Sequence, residues 1–153
     1  VSMPFKLQVM KYVDDLSVEV KNIGAANTIV NEGGVFKAYN TDYKAARIFL
    51  EDYDKELYIL GNGGYAAAVK YVAIDSKREY TLITRTNWDQ IRELRDKTIF
   101  NCTPVENIGF DMSNDFIDCL TSTETGKKLA FLQAAKQFEL YTGLLYPLEY
   151  SSL

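Results

Sequence analysis

The sequence predicts an α/β fold, and three observations carry that reading. A short apolar run, residues 57–60 (LYIL), stops at Gly61 and is followed almost at once by the small, helix-forming run Ala66-Ala67-Ala68. This is the signature of a buried strand, a tight turn and a helix. Two further strand-like runs, residues 79–84 (EYTLIT) and 98–102 (TIFNC), alternate with helical stretches, as in a parallel sheet with crossovers. Residues 28–30 (TIV) and 35–39 (VFKAY) flank Asn31-Glu32-Gly33-Gly34, which reads as a β-hairpin with a four-residue loop.

The bulk properties narrow the options. The chain has 153 residues, enough for one compact domain or two very small ones. Its 47% hydrophobic and 25% charged residues are ordinary for a globular protein. No apolar run is long enough to span a bilayer and no signal-peptide pattern is present, so the expected location is cytoplasmic, without a membrane partner. The net charge of −4 and the lack of a basic stripe argue against nucleic acid. An anionic ligand must then be held by local donors. Cys102 and Cys119 form no C-x-x-C pair and read as small buried residues of a reducing compartment. The chain has no histidine, which excludes Ser-His-Asp and Cys-His catalysis and the commonest zinc sites; no metal is expected. Proton transfer is left to Lys, Asp, Glu, Tyr or Cys.

In chain order, the first residues read VSMPFK, where Pro4 biases Met3 towards an extended backbone and Lys6 is a surface charge unless something pairs with it. Residues 7–16 can form a helix with Leu7, Met10 and Val13 on one face, and residues 18–20 are ambiguous. The hairpin brings Asn27, at the start of one strand, beside Asn40, at the end of the other. Thr41 or Asp42 can cap a helix over residues 43–53. Gly61, Gly63 and Ala66 fit the G-x-G-x-x-G/A spacing of a dinucleotide-binding turn: one glycine to turn, one to admit a pyrophosphate, one small residue to let the helix lie close. Free N–H groups and the dipole at the start of the following helix, expected over residues 65–74, then hold the anion. About twenty residues on, where an acid would bind ribose hydroxyls, stand Thr84, Arg85 and Thr86. An arginine without an acid suits a 2′-phosphate, although Arg85 as a plain surface charge and Thr86 as the cap of a helical stretch over residues 88–94, with Asp89 completing a capping box, remain open. Asn101 and Thr103 lie at the carboxyl end of the third strand, the ligand-binding edge of a parallel sheet. Residues 116–120 read as a fourth strand, residues 121–124 as a capping loop, and residues 127–141 as a helix carrying Gln133 and Gln137 on one face. Residues 144–153 read as a tail or short helix.

Seven segments in order, VSMPFK, IGAANTIV, AYNTD, LGNGGYAAA, ITRT, FNCTPV and LQAAKQFELYTG, resemble the shikimate dehydrogenase family. The resemblance covers most of the chain. It implies a Rossmann-like NADP-binding domain over residues 53–124 and a partial α/β substrate-binding domain formed by residues 1–52 and 125–153. It also implies NADPH-dependent interconversion of 3-dehydroshikimate and shikimate, with quinate as an alternative substrate and a non-catalytic NADP- or metabolite-binding module as an alternative role. Lys6 and Asp42 match the pair that flanks the reacting carbon–oxygen bond. Ser2, Asn27 and Gln133 match residues that hold substrate hydroxyls. Gly61, Asn62, Gly63 and Gly64 match the NADP phosphate loop, Arg85 the 2′-phosphate site, and Asn101 and Thr103 the strand end near the nicotinamide ribose. The chemistry agrees: a lysine can stabilise developing alkoxide charge and deliver a proton, with a carboxylate orienting it. Partial desolvation of Lys6 by Phe5 and Met3 is an expected tuning device. The chain departs from the family in lacking the early Ser-x-Ser segment that binds the substrate carboxylate, the later Tyr-x-Pro segment, a second basic residue at Trp88 or Asp89, and length between Arg85 and Asn101. The expectation is a chain without its N-terminal segment and with a compact nucleotide domain.

Overall fold

Runs rich in β-branched and aromatic residues make four short parallel strands, β4 (Leu57–Leu60), β5 (Tyr80–Ile83), β6 (Thr98–Asn101) and β7 (Asp115–Asp118). In this computed structural model, which describes residues 1–2 and 4–147, they form one sheet in the order β5-β4-β6-β7. The register sets Leu60 beside both Ile83 and Asn101, and Asn101 beside Asp118, so the carboxyl ends of all four strands lie along one edge. Side chains alternate between the two faces. Leu57, Ile59, Phe100 and Ile117 enter one buried cluster, while Leu60, Ile83 and Ile99 enter another on the opposite face.

The first cluster is covered by three helices: α2 (Thr41–Leu50), α3 (Gly64–Asp75) and α4 (Glu124–Thr142). Tyr43, Ala46 and Phe49 come from α2, Ala66, Val69 and Val72 from α3, and Leu129 and Leu132 from α4. Among the described residues, the second cluster is covered by a 3-10 helix, Trp88–Glu93, with Leu94 after it, and by Ile108 and Phe110 of the loop before β7. This short cover is the physical consequence of the brief stretch between Arg85 and Asn101.

A second sheet has three strands in the order β1-β3-β2, with β1 (Asp15–Leu16) parallel to β3 (Val35–Tyr39) and β2 (Thr28–Glu32) antiparallel to it. Helix α1 (Val18–Ile23) lies between β1 and β2 in sequence. The hairpin loop has two residues rather than the expected four: Gly33 and Gly34 both take positive φ, 65° and 97°, the type I′ geometry that matches strand twist. Residues 7–16 do not form the expected helix. Only Val9–Tyr12 makes a 3-10 turn, after which Val13 is extended. The Asp14 N–H donates to the Phe36 carbonyl at 2.8 Å, and the Phe36 N–H to the Asp14 carboxylate at 2.8 Å. Pairing with β3 thus overrides the local apolar period.

Helix α2 is capped by Asn40, whose side-chain oxygen accepts the Tyr43 N–H at 2.9 Å, not by Thr41 or Asp42. Both of those residues are inside the helix and buried. Nor does Thr86 cap the Trp88–Glu93 turn: Asn87 precedes it, without a side-chain cap, and turns its amide back to Thr84 instead. Thr123 caps α4 as the polar loop predicts. The expected roles of Met3 and of the tail from residue 148 onward lie outside the described residues.

Candidate active site

The two sheets meet where the start of the chain crosses the glycine turn. The Ala26 N–H donates to the Lys6 carbonyl at 2.8 Å and the Val1 nitrogen lies 2.5 Å from the Asn27 carbonyl oxygen, which ties residues 1–6 alongside residues 25–27. Gly64 sits under this crossing. A Cβ there would lie 3.3 Å from Lys6 Cβ and 3.5 Å from Lys6 Cδ. The absence of a side chain therefore lets the lysine stem lie on the first turn of α3.

At the end of that stem, Lys6 Nζ reaches Asp42 Oδ2 at 2.5 Å. The Lys6 side chain is 12% exposed and that of Asp42 fully buried. Asp42 Oδ1 accepts the Asn27 amide at 2.9 Å, and Asn27 Oδ1 accepts the Thr41 N–H and the Thr28 hydroxyl, each at 2.9 Å. The Gln137 amide donates to the Thr28 hydroxyl at 3.1 Å, linking α4 to the network. Asn27 orients Asp42 and Thr41 through these hydrogen bonds. Gln133, one turn before Gln137, is half-buried and makes no hydrogen bond among the described residues. Ser2 is exposed.

The turn has the geometry its spacing predicts. Gly61 has φ of 102°, and a Cβ there would meet Thr103 Cγ2 at 2.8 Å. Gly63 precedes α3 with nothing within 4 Å of a notional Cβ, which leaves open approach to the backbone. The first-turn N–H groups of α3 point out of the helix, the arrangement that binds an anion. The Gly61 N–H donates to the Ile83 carbonyl at 2.8 Å, so Thr84 lies next to the turn. Asn87 accepts the Thr84 N–H at 2.7 Å and fixes that loop. The hydroxyls of Thr84 and Thr86 are 3.0 Å apart. Arg85 is exposed and has no ion pair among the described residues. On the other side, Asn101 Oδ1 accepts from the Thr103 N–H at 3.0 Å and hydroxyl at 2.7 Å, and its amide donates to Val105 and Asp118. The side chain of Asn101 therefore shapes the Thr103 loop rather than standing free. Asn62 is exposed at the turn.

The other ionisable candidates are pushed out of the neutral range. Burial raises the Tyr65 hydroxyl well above its ordinary value, with the Asp42 charge adding to it. Burial raises the Cys102 thiol likewise and that of Cys119 to about 12. Three further residues join the site that the sequence does not mark as site residues: Thr28, Thr41 and Tyr65. Thr41 and Tyr65 lie inside the motifs AYNTD and LGNGGYAAA, but only the fold gives them neighbours.

Comparison with known proteins agrees with this geometry. A family model described as the shikimate dehydrogenase substrate binding domain matches residues 1–29. A shikimate dehydrogenase (NADP(+)) from Alkaliphilus oremlandii is 40% identical over 92 residues, 56% of this chain and 32% of that protein. One from Clostridium beijerinckii is 28% identical over 165 residues, 89% of this chain and 61% of that protein. The chain is similar to shikimate dehydrogenases along most of its length. It spans less than two thirds of the length of either relative. The crystal structure of shikimate dehydrogenase 1 from Peptoclostridium difficile superposes with a TM-score of 0.74 at 26% identity, covering 99% of this chain and 73% of that one. The Thermus thermophilus enzyme, solved with NADP(H) and shikimate, shares the fold with a TM-score of 0.82 at 22% identity, covering 98% and 74%. The likeness of fold to these shikimate dehydrogenases extends over both sheets.

Proposed function

We propose that this chain carries the reaction centre of an NADPH-dependent shikimate dehydrogenase that reduces 3-dehydroshikimate to shikimate. The observation that carries the reading is the Lys6–Asp42 ion pair, buried against the first turn of the glycine-turn helix. Residues 1–52 and 125–147 serve the substrate side and residues 53–124 the cofactor side. The residues present fit NADP: Gly63 leaves room for a pyrophosphate beside open helix amides, and Arg85, unpaired among the described residues and with no acid beside it in Thr84-Arg85-Thr86, suits a 2′-phosphate. When bound, the reduced nicotinamide supplies the hydride.

The chain's own residues supply the rest. As the ketone gains hydride, its oxygen gains negative charge. The Lys6 ammonium stabilises that charge and delivers a proton from Nζ. Asp42 balances the ammonium throughout and fixes its direction, held in turn by the Asn27 amide. Gln133, free on the α4 face, and Ser2 are proposed to meet substrate hydroxyls. Asn101 acts through the Thr103 loop. The proposed setting is cytoplasmic; among the described residues no helix is long and apolar enough to cross a membrane.

The test is NADPH oxidation by 3-dehydroshikimate, followed by absorbance, for the wild-type chain and for Lys6→Ala. Removal of the proton donor should lower turnover by about 10²–10⁴ while NADPH still binds. Undiminished turnover would refute the role of Lys6. Tight NADPH binding with no turnover by the folded wild type would favour a cofactor-binding module instead.

A further inference from the structure

Lys6 has a second neighbour besides Asp42. Its Nζ lies 5.4 Å from the centroid of the Tyr65 ring, within cation–π range. Tyr65 is the second residue of α3, directly after the glycine on which the lysine stem rests. Its ring also packs on Phe100 of β6 at 6.1 Å between centroids, so its plane is braced from the sheet side. The phenol hydroxyl makes no hydrogen bond among the described residues. The face of the ring, not its hydroxyl, is what the lysine meets.

We propose that Tyr65 is a positioning residue for Lys6, its ring face holding the ammonium in line with Asp42. Two adjacent residues of one helical turn share this function. Gly64 gives the lysine stem a place to lie, and Tyr65 gives its head a surface. A flexible lysine, which otherwise samples many rotamers, is left with one arrangement. The consequence is a link between the cofactor turn and the proton donor, because the helix start that faces the pyrophosphate is the same one that locates Nζ. The role of Tyr65 in turnover rests on the reading of Lys6 as proton donor; its contact with Lys6 does not.

The experiment has a spectroscopic arm and a kinetic arm. By NMR, the Lys6 ε-methylene protons of the wild type should lie upfield of their random-coil position, through the ring current. Tyr65→Phe should keep that shift and Tyr65→Leu should remove it. Random-coil ε-methylene shifts in the folded wild type would overturn the proposal without any variant. Kinetically, Tyr65→Leu should lower kcat by about fivefold to thirtyfold, the range of a partly desolvated cation–π contact, with KM for NADPH unchanged. Tyr65→Phe should restore the turnover lost in Tyr65→Leu. A Phe variant as impaired as the Leu variant would overturn the proposal in favour of a hydroxyl contact to ligand. A wild type without turnover would count against the proposed function, and the NMR arm would then decide the Lys6–Tyr65 contact alone.

Discussion

The two glycines of the turn can be separated by a pair of single substitutions. Gly61→Ala places a methyl group 2.8 Å from Thr103 Cγ2 in a residue whose φ is 102°. The left-handed backbone alone costs an L-residue about 1–2 kcal/mol. Forcing a methyl into a filled site adds about 1–3 kcal/mol. The expected loss is therefore about 2–5 kcal/mol, or roughly 4–20 °C in Tm at this chain length. Gly63→Ala should behave in the opposite way. Its φ of −90° suits alanine and nothing stands within 4 Å of the new methyl, so stability should fall by less than about 1 kcal/mol. Its methyl would instead occupy the approach of the pyrophosphate, and NADPH affinity should fall at least tenfold, about 1.4 kcal/mol. Urea denaturation and fluorescence titration with NADPH measure both quantities on the same samples. Equal stability losses in the two variants, or undiminished NADPH affinity in Gly63→Ala, would refute this division of roles.

Other substitutions address the neighbouring groups. Arg85→Gln should weaken NADPH binding by about tenfold to a hundredfold, the worth of a charge-assisted hydrogen bond, and leave NADH binding unchanged; equal losses for both cofactors would count against a 2′-phosphate contact. At pH 7.5 a thiol raised to about 12 has a thiolate fraction on the order of 10³ below that of a free cysteine, so Cys119, and Cys102 with it, should react with Ellman's reagent only on unfolding. A native-state rate within tenfold of a free thiol would contradict that burial. Lys6→Met should destabilise the chain by about 3–5 kcal/mol by stranding the buried Asp42, and adding Asp42→Asn should recover most of it without recovering turnover. Additive losses in urea would show that the two residues do not act as a pair.

Whatever local chemistry decides was legible in the sequence. The apolar run ending at Gly61 and the existence of the hairpin need only neighbouring residues, and both are found, although the hairpin loop is two residues shorter than its sequence suggests. Legibility ends where distant partners decide. Residues 7–16 have an apolar helical period, yet Asp14 and Phe36 pair across the chain and draw the end of the segment, Asp15–Leu16, into a strand. Asp42 sits where a cap residue could stand, but Asn40 takes the cap, and the carboxylate meets a lysine 36 positions earlier. The hydrogen bonds by which Asn27 and Asn101 hold neighbouring residues in place are made across the fold and cannot be read from spacing. Tyr65 packs on Phe100 as an ordinary core-facing aromatic would, and what sets it apart is that Lys6 ends over its ring.

The charges at the site are unevenly balanced, and in a direction that suits the proposed reaction. Asp42 lies in the first turn of α2, where the helix dipole favours an anion, and it also receives the Asn27 amide and the Lys6 ammonium. Lys6 has the reverse setting. It rests on the first turn of α3, whose dipole disfavours a cation, and has Asp42 and the Tyr65 face as its offsets. The carboxylate is therefore stabilised more fully than the ammonium. An oxygen gaining negative charge beside Lys6 would meet both the paired ammonium and a helix start of the same sign. In a chain of net charge −4, an anion at this edge would depend on local donors: Lys6, the start of α3 and, further along the turn, Arg85.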